Sequence, residues 1–246
     1  MRSYYNQWLN TSMDEDRYAV KYLLMATAVS IVISFLPIAE NILYPFKLFV
    51  TFIHEGGHAL AAIATFGDVQ EIRIFSDTSG LTFSRGGFSI IIASAGYLTS
   101  TIFGAVLLLF GRNAKYAKGV IFVVAFLMLG LTFLFMKGFF GWIVGLIIVA
   151  VLGVTAFFAS PRVAHFFLNF LAVQCCLNAL YDLRVLFELS ATTREASDAM
   201  NMQRLTLIPA VVWASLWLLL SAGVLWIALR QYFKVREKNE EIEIKI

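Results

Sequence analysis

Two of the chain's three histidines stand four residues apart, in His54-Glu55-Gly56-Gly57-His58. On a helix, positions four apart share one face, so both imidazoles reach a single ion. The glutamate between them then lies close enough to a metal-bound water to take its proton, and zinc brings that water's pKa down to about 7. Gly56 and Gly57 are poor helix formers, costing about 1 kcal/mol each relative to Ala. Without side chains, they leave space for a substrate backbone or a neighbouring helix. HExxH alone is a short pattern that arises by chance, but its setting, LFVTFIHEGGHALAAIATF, is apolar. Ionisable side chains at such depth cost about 3 kcal/mol each and face an interior cavity. The rival reading is a polar patch that only holds helices together, and three adjacent titratable groups at ligand spacing weigh against it.

A catalytic zinc takes three protein ligands and keeps an open position. His165, the remaining histidine, follows Ser160-Pro161-Arg162 at the end of an apolar run and reads as an interfacial residue. The stronger candidates for the third ligand are carboxylates. Asp182 lies in LNALYDLRVLF, deep in an apolar context, and depth favours it; its alternative is an ion pair with Arg184 or a nearby lysine. Asp198 lies in REASDAMNM, a polar loop where solvation or helix capping would also explain it. Glu188 and Glu195 are further possible carboxylates. Asn178, four residues before Asp182, shares its helix face and is placed to hydrogen-bond substrate or ligand. The adjacent Cys175 and Cys176 read as small buried side chains. Gly96, Ser100 and Gly104 form a small-residue stripe of the kind that lets helices approach.

These groups sit in a chain of 246 residues that is 60% hydrophobic and 14% charged, with a mean hydropathy of +0.79. Ordinary soluble domains are about half apolar and about a quarter charged. Twenty-three Phe against four Pro exclude a disordered or collagen-like chain. A net charge of +3, spread along the sequence, forms no basic face for nucleic acid. The fold class is therefore an all-α polytopic membrane protein. Seven candidate spans lie near Val20–Ala39, Ile42–Phe66, Phe88–Phe110, Gly119–Met136, Phe139–Ala159, Val163–Phe187 and Ile208–Phe233. The second and sixth carry His, Asp or Glu, so six to seven crossings are expected.

Between the second and third spans, Gly67–Gly87 alternates apolar with polar residues around an Asp-Thr-Ser-Gly turn signal, which predicts a β-hairpin. An unpaired strand edge beside a bilayer needs a partner. An extended substrate meets that need by strand addition, with Gly80 among the contacts. The alternative is a plain solvated connector.

Residues 1–19 form a polar segment without a cleavable signal pattern, so the first span is expected to remain as a signal anchor. Residues 20–233 form the membrane-embedded domain, and 234–246 a mixed-charge solvated tail. Lys and Arg are divided almost evenly between the two sides, and the expectation drawn from them is a cytoplasmic C-terminus.

The blocks FIHEGGHALAAIATFGDVQEIRI, SGLT and ASAGYLTSTIFGAVLLL, continued in NALYDL and SDAMNMQRLTLIPAVVWASLW, resemble the site-2-protease-like zinc metallopeptidases. The likeness is to their short bacterial peptidase-M50-like branch and runs from about Phe52 to Trp217. It implies a multi-pass protein of the bacterial cytoplasmic membrane, with His54 and His58 binding Zn2+ and Glu55 as general base. The substrate would be a membrane protein or peptide, cleaved by a zinc-bound water. In the wider family the third ligand is an Asp in an Asn/Leu-Asp-Gly motif. Here Tyr181-Asp182-Leu183 lacks the Gly, and Ser197-Asp198-Ala199 has Ala in its place, so Asp182 and Asp198 both stand as candidates.

Other membrane chemistries fail on inventory. Three histidines are too few for di-iron hydroxylases, and neither a Gly-x-Ser-x-Gly elbow nor a phosphate loop is present. The rival of a different class is a non-catalytic scaffold or transporter that retains the motif.

Overall fold

The computed structural model describes residues 19–192 and 197–244, with side chains of the last helix described to residue 233. Among the described residues, eight helices and one hairpin follow in order. A short apolar helix α1 (Ala19–Ser34) precedes α2 (Ala39–Ala64), which carries the HExxH motif. Strands β1 (Asp68–Ile74) and β2 (Gly80–Arg85) come next, then α3 (Ser89–Phe110), α4 (Ala114–Phe135) and α5 (Phe139–Phe158). The chain closes with α6 (Pro161–Thr192), α7 (Asp198–Thr206) and α8 (Ala210–Ile244). Helices α3, α4, α5, α6 and α8 are each long and apolar enough to cross a membrane. The all-α polytopic architecture with a hairpin after the motif helix is as expected, and the protein is an integral membrane protein.

Two segments differ from expectation. The polar stretch around Asp198 is a helix, α7, and not a loop. Ser197 caps it by accepting from the Met200 amide at 3.2 Å, and Leu207 closes it in the left-handed region. Helix α8 runs on through most of the charged tail, to Ile244. Glu195 lies outside the described residues.

Close helix contacts centre the bundle on α3, which packs against α2, α6 and α8. Gly57 faces α3 so tightly that a Cβ there would stand 2.7 Å from Thr99 Cβ and 3.0 Å from the Ala95 carbonyl. A Cβ at Gly56 would meet Leu131 of α4 at 2.9 Å. Of the two uses foreseen for these glycines, the structure takes the neighbouring helix. In the small-residue stripe, Gly104 packs against Cys175 and Cys176 of α6, whose thiols are free.

Buried polar pairs pin further crossings. Thr101 donates to Ser221 between α3 and α8 at 2.9 Å, and Gln174 to Ser30 between α6 and α1 at 3.1 Å. His165 is buried at 1% exposure and bonds the Gly111 carbonyl at 2.7 Å, beside the Tyr22 ring. The interfacial reading of His165 is therefore corrected. One turn from it, Asn169 donates to the same carbonyl at 3.0 Å, so α6 closes the otherwise open C-terminus of α3.

The hairpin lies along α2. Its strands are antiparallel, with Ile72 opposite Thr82 and an irregularity between Val69 and Glu71. The extra residue there explains why Val69 and Ile72, three apart, both face inward together with Ile74. The outer edge of β1 is occupied: Ile72 bridges to Met136, and the Lys137 amide donates to the Ile72 carbonyl at 2.8 Å. Among the described residues β2 pairs only with β1, which leaves its other edge free.

Candidate metal centre

One face of α2 presents Lys47, Thr51, His54, Glu55 and His58 to a cavity of about 980 Å³. The far side is formed by α6 and α7, and β2 forms a third wall. His54 Nε2 and His58 Nε2 lie 3.1 Å apart. Asp198 Oδ2 lies 3.3 Å from the first and 3.2 Å from the second. Among the described residues these three make the one group of His, Cys, Asp and Glu side chains placed to hold a metal ion.

The edges of that donor triangle can be compared with what zinc requires. Tetrahedral zinc with bonds of about 2.0–2.1 Å sets its ligand atoms about 3.3–3.4 Å apart, close to the spacing found. A Cβ built at Gly96 of α3 would collide with Nε2 of both His54 and His58, so only glycine leaves that space open. The protonation pattern suits a cation as well. His58 Nδ1 lies 2.6 Å from the Ile92 carbonyl, which can only accept. Nδ1 therefore carries a proton, which leaves Nε2 as the ring atom able to bind a metal in the triangle. His54 is oriented edge-on by the Tyr97 ring at 4.6 Å, which itself stacks on Trp217 of α8. The residues present fit a zinc ion.

Asp198 is delivered by α7. Ala199, Met200 and Met202 bury the apolar face of that short helix against Leu183, Leu186 and Trp217. Gln203 Oε1 accepts from the Ala210 amide at 2.8 Å and ties its end to α8.

A family model described as Peptidase M50B-like matches residues 23–228. The chain belongs to the peptidase M50B-like family. No curated protein and no solved structure matches it. Membership makes the chain one of a family of membrane metallopeptidases, and its remaining polar groups can be read in that light.

In this M50B-like protein, Glu55 is 4% exposed and its Oε2 accepts from Thr82 Oγ1 of β2 at 2.6 Å. Gly80 packs on the same carboxylate: a Cβ there would come within 2.5 Å of Oε1. Asn178 and Asp182 line the cavity, but Asp182 is not a member of the donor triangle. Nor does it pair with Arg184, which lies two residues on and therefore on another face of α6. Arg184 instead meets Glu188 at 2.9 Å on the exposed surface, away from the ligand set.

Four contributors were not singled out from sequence as parts of the site: Thr82, the Ile92 carbonyl, Gly96 and Tyr97. Gly96 stood in the stripe assigned to packing, and Thr82 in the SGLT block. Nothing in residue type alone marked the other two.

Proposed function

We propose that the protein is an intramembrane zinc endopeptidase, hydrolysing peptide bonds of membrane proteins or membrane-associated peptides. One observation carries this reading: a buried carboxylate, Glu55, adjoins a three-atom donor triangle inside a cavity walled by a strand with a free edge. His54, His58 and Asp198 would hold the zinc ion, which would supply Lewis acidity for the scissile carbonyl and for an attacking water.

The chain's own residues do the rest. Glu55 accepts the proton of the water whose oxygen attacks the carbonyl carbon. As the carbon–nitrogen bond breaks, Glu55 returns that proton to the departing amine. The free edge of β2 receives the substrate as an added strand, with its peptide groups bonded to the β2 backbone and Gly80 among the contacts. Asn178 faces the substrate from α6. A helical substrate must unwind first, since its peptide bonds are shielded and internally bonded. The setting that the family resemblance implies is the bacterial cytoplasmic membrane.

The test is zinc content and cleavage, measured on the purified chain and three variants. Parent protein and Asp182→Asn retain stoichiometric zinc, and Asp198→Asn loses it. Glu55→Gln retains zinc and fold but cleaves nothing. Zinc-free parent protein would favour a scaffold or transporter, and full activity in Glu55→Gln would remove the base from the mechanism.

A further inference from the structure

The hairpin bonds to one face of α2 at three places spaced by whole turns. Tyr44 Oη donates to the Ser76 carbonyl at 2.6 Å, and Thr51 Oγ1 to the Thr78 carbonyl at 2.7 Å. Both of these end on backbone in the turn, and they fix where the turn lies. The third is of another kind, because Thr82 Oγ1 donates at 2.6 Å to a side chain, the Glu55 carboxylate. The Glu55 backbone carbonyl is a longer alternative acceptor at 3.1 Å.

Thr82 itself is firmly placed. Its register partner Ile72 is 1% exposed, and the Ile72 carbonyl accepts from the Lys137 amide at 2.8 Å. A run of contacts therefore leads from the α4–α5 connection through β1 and β2 to one carboxylate oxygen. The other oxygen is confined by the bare Cα of Gly80, where even a methyl group would come within 2.5 Å. A glutamate has three rotatable bonds, and fixing them costs entropy that the surroundings must offset. Misplacing a reacting group by about 1 Å costs about 100-fold in rate.

We propose that Thr82 is a positioning residue for the proposed general base: with Gly80, its hydroxyl holds the Glu55 carboxylate in the orientation from which proton transfer occurs. The hairpin thereby serves the base as well as the substrate. A peptide strand added to β2 stiffens the very strand that aims Glu55. This inference rests on the zinc-peptidase reading above.

The experiment uses the zinc-loaded full chain in detergent micelles and a pool of internally quenched apolar peptides, with kcat and KM measured separately. Thr82→Val keeps the β-branched shape without the hydroxyl, and Thr82→Ser keeps the hydroxyl. Thr82→Val is expected to lower kcat about 10- to 100-fold with KM changed less than about twofold. Its zinc content stays at the parent level. Thr82→Ser is expected to remain within about threefold of the parent kcat, since the donor is retained. Thr82→Ala carries the same expectation as Thr82→Val, so a folding defect in one leaves the other to decide. Infrared difference spectra of the parent against Glu55→Gln isolate the Glu55 carboxylate band without turnover. That band shifts in Thr82→Val and Thr82→Ala but not in Thr82→Ser.

An unshifted band, an unchanged kcat in Thr82→Val, or an equal loss in Thr82→Ser overturns the positioning role and leaves the peptidase reading standing. Absence of cleavage by the parent chain across the pool, or full activity in Glu55→Gln, overturns the peptidase reading itself.

Discussion

The Ile92 carbonyl stands 2.6 Å from His58 Nδ1 and accepts a hydrogen bond from it, so Nε2 is the ring nitrogen turned towards His54 and Asp198. A backbone atom of α3 thus orients a side chain on α2. The same helix supplies Gly96, whose lack of a side chain keeps the donor triangle open. Both effects depend on α3 approaching α2 closely, which Gly57 permits.

Gly96→Ala is expected to lower zinc affinity by about 10- to 100-fold, the range seen when groups supporting metal ligands are altered. The added methyl group collides with Nε2 of both histidines. Zinc titration against a competing chelator measures the change. Wild-type affinity in Gly96→Ala would mean that the triangle lies elsewhere.

Gly80→Ala leaves all three donors untouched but pushes the Glu55 carboxylate aside. Zinc content should therefore stay at the parent level while kcat falls about 100-fold or more, the scale of a misplaced acid–base group. Metal analysis and kinetics on one preparation separate the two effects.

Gly57→Leu forces apart the α2–α3 crossing, since even a Cβ meets Thr99 and the Ala95 carbonyl inside ordinary contact distance. Overpacking of this kind costs about 1–3 kcal/mol or more. Loss of stability and of zinc together is expected, read by thermal denaturation in micelles and metal analysis. Retention of both would show that the helices separate freely.

Thr101→Val removes the buried hydroxyl pair with Ser221. Interhelical hydrogen bonds in membrane proteins contribute about 0.6 kcal/mol on average, so stability should fall slightly and zinc content should not change. A large loss of zinc would tie the α3–α8 crossing directly to the metal centre.

The parts of this molecule that depend on local spacing are legible in its sequence. His54 and His58 share a helix face because helical periodicity alone places residues four apart together. The hairpin was legible because alternation, a turn signal and its position after α2 all agree. The third donor was not, because hydropathy measures depth along one dimension. By that measure Asp182 looked buried and Asp198 looked solvated, yet α7 folds back so that its first residue enters the cavity. His165 escaped for a similar reason: its place at a span's edge says nothing of the α3 end it closes. Gly96 was visible only as a small residue, and what its absent side chain makes room for is a tertiary fact.

Separation along the chain has a consequence for how the protein is made. His54 and Asp198 are 144 residues apart, with the hairpin and helices α3 to α6 between them. A growing chain thus carries the HExxH helix through most of its synthesis without its carboxylate partner. The centre closes only when α7 emerges and docks, and joining ends so far apart costs loop entropy that metal binding helps to offset. Under the zinc-peptidase reading, a nascent chain, or one truncated before α7, is inert, and hydrolytic capacity arrives late in assembly, once α7 has docked.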